Sequence, residues 1–264
     1  MTDQPVLLHR DGAVAVVTLN RPEAGNTVNM PLAQALEQAV DEALADPALR
    51  CVVLTGAGKL FCGGGDIAGF AQAPDASAYL FDLAGTLHRS VSRLVHGAKP
   101  VVTLVNGPAA GAGLSLALLG DVVLSSATAH FTAAYGFVGL TPDGGMSWLL
   151  PRLVGLRRAQ EIILTNRRIG AQEAQAIGLV TRVVEAEALQ EEGMALAHTL
   201  AAGPTAALGG ARALLAAGFQ QDLDSHLALE AARIAQAGAT AEAREGIAAF
   251  VERRKPDFTE RKPS

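Results

Sequence analysis

The chain has 264 residues, half of them hydrophobic and only 4% aromatic, so its core must be built mostly from small and aliphatic side chains. That length suits one large domain, or one domain with an appended helical piece. A formal net charge of −5 argues against a general nucleic-acid binder, and no apolar run is long enough for a membrane span.

In chain order, residues 1–5 are polar and lack the apolar stretch of a signal peptide. Two cysteines do not make a disulfide framework, and a reducing, cytoplasmic setting is the expectation. Residues 14–19 read as a strand ended by Asn20-Arg21-Pro22. Residues 30–44 carry the apolar spacing of an amphipathic helix, closed by Asp46-Pro47. Residues 51–55 are a short apolar strand pattern running into Gly56-Ala57-Gly58 and then Cys62-Gly63-Gly64-Gly65-Asp66-Ile67. Residues 68–77 are small and polar enough for a mobile segment. A helix from Ser77 or Ala78 carries Tyr79, Phe81, Leu83, Leu87 and Val91 towards Lys99-Pro100.

Residues 101–105 are a second buried strand pattern, broken by Asn106-Gly107-Pro108. Ala109, Ala110, Gly111, Ala112 and Gly113 lead into an apolar helix over 114–119. A strand over 121–125 and an irregular or extended piece over 129–137 precede the turn Pro142-Asp143-Gly144-Gly145. Short helices over 147–153, 156–164 and 171–177 are followed by a strand within 180–184. From residue 187 the pattern is helical: 187–202, 205–217, 223–237 and 241–254. The boundary near 201–204 divides a core over residues 1–203 from a helical region over 204–264.

The two Gly-rich turns lie about fifty residues apart and suggest a repeated strand–turn–helix unit. Small residues there leave backbone N–H groups uncovered at a helix start, where negative charge is favoured. Two such loops side by side aim two amides at one oxygen, which is what stabilising a developing oxyanion requires. Close strand-to-helix packing asks for the same small residues, so one loop alone decides nothing. Cys62 reads as a small buried filler, and the six scattered histidines form no metal-ligand cluster.

At these residues the chain resembles the crotonase superfamily of enoyl-CoA hydratases and isomerases. The resemblance rests on Asn20-Arg21-Pro22, the first Gly loop, the stretch 106–116, the turn Gly139-Leu140-Thr141-Pro142-Asp143-Gly144-Gly145, and Gly178-Leu179-Val180. It covers nearly the whole chain, and several spaced motifs in order are far more specific than one Gly run. It implies an α/β spiral of ββα units with a C-terminal helical trimerisation region, assembled as homotrimer or hexamer. A coenzyme A thioester would be the substrate, with no resident cofactor or metal and no membrane partner.

By that resemblance the oxyanion amides belong to Gly65 and Ala112; Ala in place of the family's Gly keeps the N–H. Glu23, Ala24, Val28, Gly65, Asp66, Ile67 and Arg253 are the implied coenzyme A contacts, though Arg253 reads equally as a solvated helix end. The two Glu positions of typical hydratases hold Ser115 and Tyr135, neither of which is a carboxylate. Asp143 stands where isomerases resembling those of phenylacetate breakdown carry an acid, and it also suits the turn or the N-cap of the 147–153 helix. His88 is expected to pack or face solvent. A further likeness, to 4-chlorobenzoyl-CoA dehalogenase, would make Asp143 a nucleophile and His88 a base; Val154-Gly155-Leu156-Arg157-Arg158-Ala159 and Thr165-Asn166-Arg167 sharpen it. Against that, the dehalogenase tryptophan falls at Tyr135, and the single tryptophan is Trp148. The expectations are therefore isomerase first, aryl displacement second, and a catalytically silent acyl-CoA-binding protein third.

Overall fold

The structure is a computed structural model and describes residues 4–259. The outermost residues of the two expected segments, and most of the polar 1–5 start, lie outside the described residues.

In chain order the elements begin with β1 (Val6–Asp11), β2 (Val14–Leu19), α1 (Met30–Ala45), β3 (Cys51–Gly56), α2 (Ile67–Gln72) and α3 (Ala76–His96). Next come β4 (Val101–Val105), β5 (Ala109–Ala110), α4 (Ala112–Ala117), β6 (Val122–Ser126) and β7 (His130–Thr132). After them follow α5 (Met146–Val154), α6 (Leu156–Thr165), β8 (Ile169–Gly170), α7 (Ala171–Ala176) and β9 (Arg182–Val184). The chain ends in α8 (Leu189–Ala202), α9 (Thr205–Ala217), α10 (Leu223–Gly238) and α11 (Ala241–Glu252).

The main sheet has the order β1-β2-β3-β4-β6-β9. β1 pairs antiparallel with β2, and every other pair is parallel. Strands of such a sheet are covered on both faces, so their sequences are nearly continuous runs of apolar residues. Alternation then sends neighbours into two cores. Ala15, Val17, Leu19, Val52, Leu54, Val101 and Val105 face one core, with Leu32, Leu36 and Val40 of α1 and Leu87 and Leu94 of α3. Val14, Val16, Cys51, Val53, Val102, Leu104 and Leu124 face the other, closed by Leu189, Ala197 and Ala201 of α8. Gly193 lets α8 lie this close, because a Cβ there would run into the Leu104 side chain. A small second sheet, β5-β7-β8, stands beyond the end of β4.

The expected strands and helices of this chain are present with ends moved by a residue or two. Residues 68–77 differ: α2 occupies their first half, because the Asp66 carboxylate accepts the Gly69 N–H and Phe70 packs towards Tyr79, ring centroids 6.0 Å apart. β1, with its polar second half, and the two- or three-residue strands β5, β7 and β8 carry no pattern of their own.

Two arginines tie the C-terminal helices to the core. Arg50 donates to the carbonyls of Ala201 and Gly203, both at 2.7 Å, and pairs with Glu242 at 3.2 Å. Arg212 of α9 donates to the carbonyls of Leu94 and Lys99 at 2.8 and 2.9 Å, and to Asp121 at 2.7 Å. By contrast α10 buries none of its residues, and Leu223, Leu227 and Ile234 are exposed on it, as are Ile247, Phe250 and Val251 on α11. Among the described residues no single helix is long and apolar enough to cross a membrane; α8 and α9 reach that only as a pair bent by 103°.

The Arg212 side chain is nearly buried, and its guanidinium donates to the carbonyls of Leu94 and Lys99 and to the Asp121 carboxylate at once. Arg212→Leu should therefore destabilise the fold by about 2–3 kcal/mol, as expected for losing buried charge-assisted hydrogen bonds. Chemical denaturation should read that loss as a lower midpoint with an unchanged slope.

Candidate active site

The site begins with a fully buried asparagine. Asn26 adopts φ +55 and its Nδ2 donates to the carbonyls of Ala57 (2.9 Å) and Leu60 (2.8 Å), while its Oδ1 accepts the Arg21 N–H at 2.8 Å. This one side chain fixes the loop that leaves β3. Arg21 adds a second tie, donating to the Thr27 carbonyl at 2.5 Å and pairing with Asp66 at 3.2 Å. Sequence reading missed Asn26; a Gly-Asn pair signals a turn, and nothing local distinguishes a buried turn asparagine from an exposed one.

The first Gly loop is held by two isolated parallel bridges, Val28 with Gly65 and Cys62 with Ala109. In the first, Val28 N–H donates to the Gly64 carbonyl at 2.7 Å and Asp66 N–H to the Val28 carbonyl at 2.9 Å. A parallel bridge of this kind turns the amide of the middle residue, Gly65, away from Val28. Across from it, β5 ends at Gly111, whose φ of +52 and ψ of −126 belong to glycine alone. The next amide, at Ala112, opens α4. Among the described residues neither the Gly65 N–H nor the Ala112 N–H has a hydrogen-bond acceptor, and both residues line the same cavity. The two loops touch: a Cβ on Gly64 would lie 3.0 Å from the Ala110 carbonyl oxygen and 3.6 Å from the Gly111 Cα.

That cavity is about 530 Å³. Phe70, Leu80, Phe81, Leu83 and Leu87 from α2 and α3 form one wall, and Tyr135, Phe137 and Val138 form the other. Ile67, Phe81 and Phe137 remain exposed at its mouth. Asp143 is the one charged residue lining it among the described residues.

Asp143 sits in a small network. Ala134, at φ +65, turns the chain so that Tyr135 points inward, and the Tyr135 Oη donates to Asp143 Oδ1 at 2.6 Å. The buried Ser115 Oγ donates to the Asp143 backbone carbonyl at 2.8 Å and lies 3.2 Å from Tyr135 Oη. Gly144, at φ +60, is required here because a Cβ would lie 2.7 Å from the Ser115 Cβ. Its N–H donates to His88 Nε2 at 3.0 Å, and the same nitrogen lies 3.9 Å from Asp143 Oδ2. Burial, and then the Asp143 charge beside it, push the Tyr135 phenol well above its ordinary value, so it stays a donor.

These contacts correct one expectation and add to another. Asp143 is not a side-chain cap: α5 begins after Gly145 without one, and the carboxylate turns to Tyr135 instead. His88 is exposed, as expected of a solvent-facing histidine, and its Nε2 also accepts the Gly144 N–H. The Cys62 thiol is fully buried and pushed up to about 12 by that burial, as befits a filler.

Comparison with known proteins fits this geometry. The family described as enoyl-CoA hydratase/isomerase matches residues 9–261. The chain belongs to the enoyl-CoA hydratase/isomerase family. It is similar to the 1,2-epoxyphenylacetyl-CoA isomerase of Escherichia coli (strain K12), 38% identical over 96% of this chain and 98% of that protein. It is also similar to the short-chain-enoyl-CoA hydratase of Clostridium acetobutylicum, 34% identical over 95% of each. Among solved structures, enoyl-CoA hydratase from Bacillus anthracis superposes with a TM-score of 0.92 at 29% identity, covering 97% of this chain and 99% of that one. An enoyl-CoA hydratase from Polaromonas sp. JS666 does so at 0.89 and 34% identity, over 96% and 98%. The fold is thus that of the family, and the protein is an acyl-CoA enzyme of it.

Of the residues the resemblance pointed to, the structure brings Val28, Gly65, Ile67, Ala112 and Asp143 to one cavity. Glu23 and Ala24 lie in an exposed 3-10 turn, Pro22–Ala24, outside that lining. Asp66 points to Arg21 and to the start of α2, and Arg253 ends α11 in a left-handed conformation on the surface.

Tyr135→Phe removes the donor to Oδ1 and keeps the ring. Because the folded-state value is raised, the phenol should remain un-ionised above about pH 10, and any stability it lends is lost only as pH climbs past the unfolded value. An ultraviolet titration of wild type minus Tyr135→Phe should therefore show no tyrosinate step near pH 10 while both proteins are folded. A step there would contradict the buried hydrogen bond.

Proposed function

We propose that this protein is an enoyl-CoA isomerase that moves a double bond through a thioester enolate. The observation that carries the reading is Asp143: the one carboxylate lining the cavity among the described residues shares it with the Gly65 and Ala112 amides, which have no acceptor there, while by the family resemblance Ser115 and Tyr135 stand at the places of the hydratase Glu pair. The Gly65 and Ala112 N–H groups hold the thioester oxygen as charge develops on it, a contribution of about 10²–10³ in rate per donor. Asp143 takes the α-proton and returns a proton further along the acyl chain. Tyr135 holds Oδ1, leaving Oδ2 as the basic oxygen. The aromatic and aliphatic walls receive an apolar acyl group, and the name of the Escherichia coli relative, an isomerase, points the same way.

In this reading Glu23, Ala24, Val28, Asp66, Ile67 and Arg253 contact the coenzyme A portion of the substrate. The nearness of His88 to Asp143 favours one second reading, aryl displacement by an Asp143 nucleophile with His88 as base. An empty-handed binding protein would have no use for the retained carboxylate and its two supporting hydroxyls.

The test is a panel of acyl-CoAs in deuterated water, with label read by mass spectrometry. Asp143→Asn should leave binding nearly intact and lower isomerisation and α-proton exchange about 10²-fold or more. Crotonyl-CoA hydration by the native protein should stay below about 10² s⁻¹. Exchange by Asp143→Asn at the wild-type rate would remove Asp143 from the chemistry.

Assembly belongs to the same proposal. Exposed Leu223, Leu227, Ile234, Ile247 and Phe250 need partners, and a second and third copy of the chain supply them in a homotrimer, or in a hexamer built from two. Light scattering at micromolar concentration should give at least three times the chain mass; a monomer would refute this.

A further inference from the structure

We propose that His88 is the port through which the proton held by Asp143 exchanges with solvent. This role rests on the enolate chemistry proposed above. His88 projects from α3 behind the 142–145 turn, its Nε2 3.9 Å from Asp143 Oδ2 and its side chain 48% exposed. It does not line the acyl cavity. It lines a second cavity of about 440 Å³ on the other side of the turn, with Val91, His96, Gly145, Trp148 and Gln220. The imidazole thus stands beside the working carboxylate, 48% exposed against 31% for Asp143, and reaches solvent from the side of the turn away from the acyl cavity.

Its hydrogen bonding makes it a two-position device. Nε2 accepts the Gly144 N–H at 3.0 Å, so in this state that nitrogen carries a lone pair and the ring is neutral. One nitrogen cannot accept from Gly144 and hold a proton at the same time. Once protonated, Nε2 must leave Gly144, and the nearest acceptor is Asp143 Oδ2, about 1 Å of side-chain movement away from a charge-assisted bond. The other oxygen is already taken by Tyr135. Tyr135 and Ser115 are buried and cannot themselves reach solvent.

The charged surroundings leave this exchange to the pair alone. On α3, Arg89 is bound to Glu37 of α1, and His96 lies two turns further along. From α5, Arg152 is stacked on Trp148 at 3.9 Å. The turn contributes Asp143.

The step balances without any co-reactant. After α-proton removal, Asp143 carries the proton on Oδ2. That O–H bond breaks as a bond to His88 Nε2 forms, leaving carboxylate and imidazolium. The imidazolium gives this proton to water and takes another from water at Nε2, and the reverse transfer returns a solvent-derived proton to Oδ2. The enolate is then reprotonated from Asp143 with solvent label.

The experiment is isomerisation in deuterated water, read as deuterium incorporated per product molecule formed. Wild type should incorporate label in a large share of turnovers. His88→Gln keeps an acceptor for the Gly144 N–H but cannot be protonated, and His88→Asn shortens the same group. Both should lower deuterium per turnover about threefold or more, whatever happens to kcat, because the proton is then returned internally. The ratio is insensitive to how much of a variant is folded. Unchanged labelling per turnover in both variants, or near-complete retention of substrate protons in wild type, would overturn the proposal. Isomerisation and exchange that survive Asp143→Asn would instead sink the enolate reading on which it rests.

Discussion

Everything at the site depends on the parallel pairing of β3 and β4. Val52 stands opposite Val101 and Thr55 opposite Leu104, so the two strands end side by side and release their glycine turns in the same direction. Thr55 adds a side-chain tie to the Leu104 carbonyl at 2.9 Å, and Asn106 of the second turn accepts the Gly56 N–H and donates to the Gly58 carbonyl of the first. The turns are then close enough for Cys62 to bridge Ala109 and for Gly64 to lie against Gly111. Side chains at those contacts would pry the loops apart. The glycines serve the approach of two backbones, and unpaired amides facing one cavity are its consequence.

The second constraint is electrostatic. With Asp143 in the turn, two further carboxylates at positions 115 and 135 would crowd like charges into a partly buried space, a costly arrangement unless protons are shared. Serine and tyrosine remove that conflict and satisfy the turn instead. Ser115 supports the Asp143 backbone and Tyr135 its side chain, and the hydroxyls lie within 3.2 Å of one another. A buried polar network with its members partnered holds one geometry, and here it fixes the Asp143 carboxylate and its turn.

Small residues shape the rest. The chain has one Trp, two Tyr and eight Phe, and four of these rings, Phe70, Phe81, Tyr135 and Phe137, line the cavity. The core itself is aliphatic, with glycines where helices come closest: Gly193 over Leu104, Gly209 against the Ala98 backbone, and Gly113 against Cys62. α8 closes the second sheet face, while α10 and α11 leave their apolar residues outward.

Sequence by itself determined the strands β2, β3 and β4, the helices α1, α5, α6 and α9, and the two glycine turns. Each is encoded within its own residues by periodicity, caps and breakers, which act over a few positions. It also showed no carboxylate at positions 115 and 135 and one at 143, and the family resemblance made those positions worth reading. Only the tertiary structure decided how that carboxylate is held. Tyr135 is eight residues from Asp143, Ser115 twenty-eight and His88 fifty-five or more from the turn they support, and Asn26 fixes a loop over thirty residues away. Contacts at such separations leave no periodic trace, because each depends on where the sheet delivers the chain. The two-residue strand β5 and the helix α2 emerged for the same reason: their backbone partners, β7 and the Asp66 cap held by Arg21, are set by the fold around them.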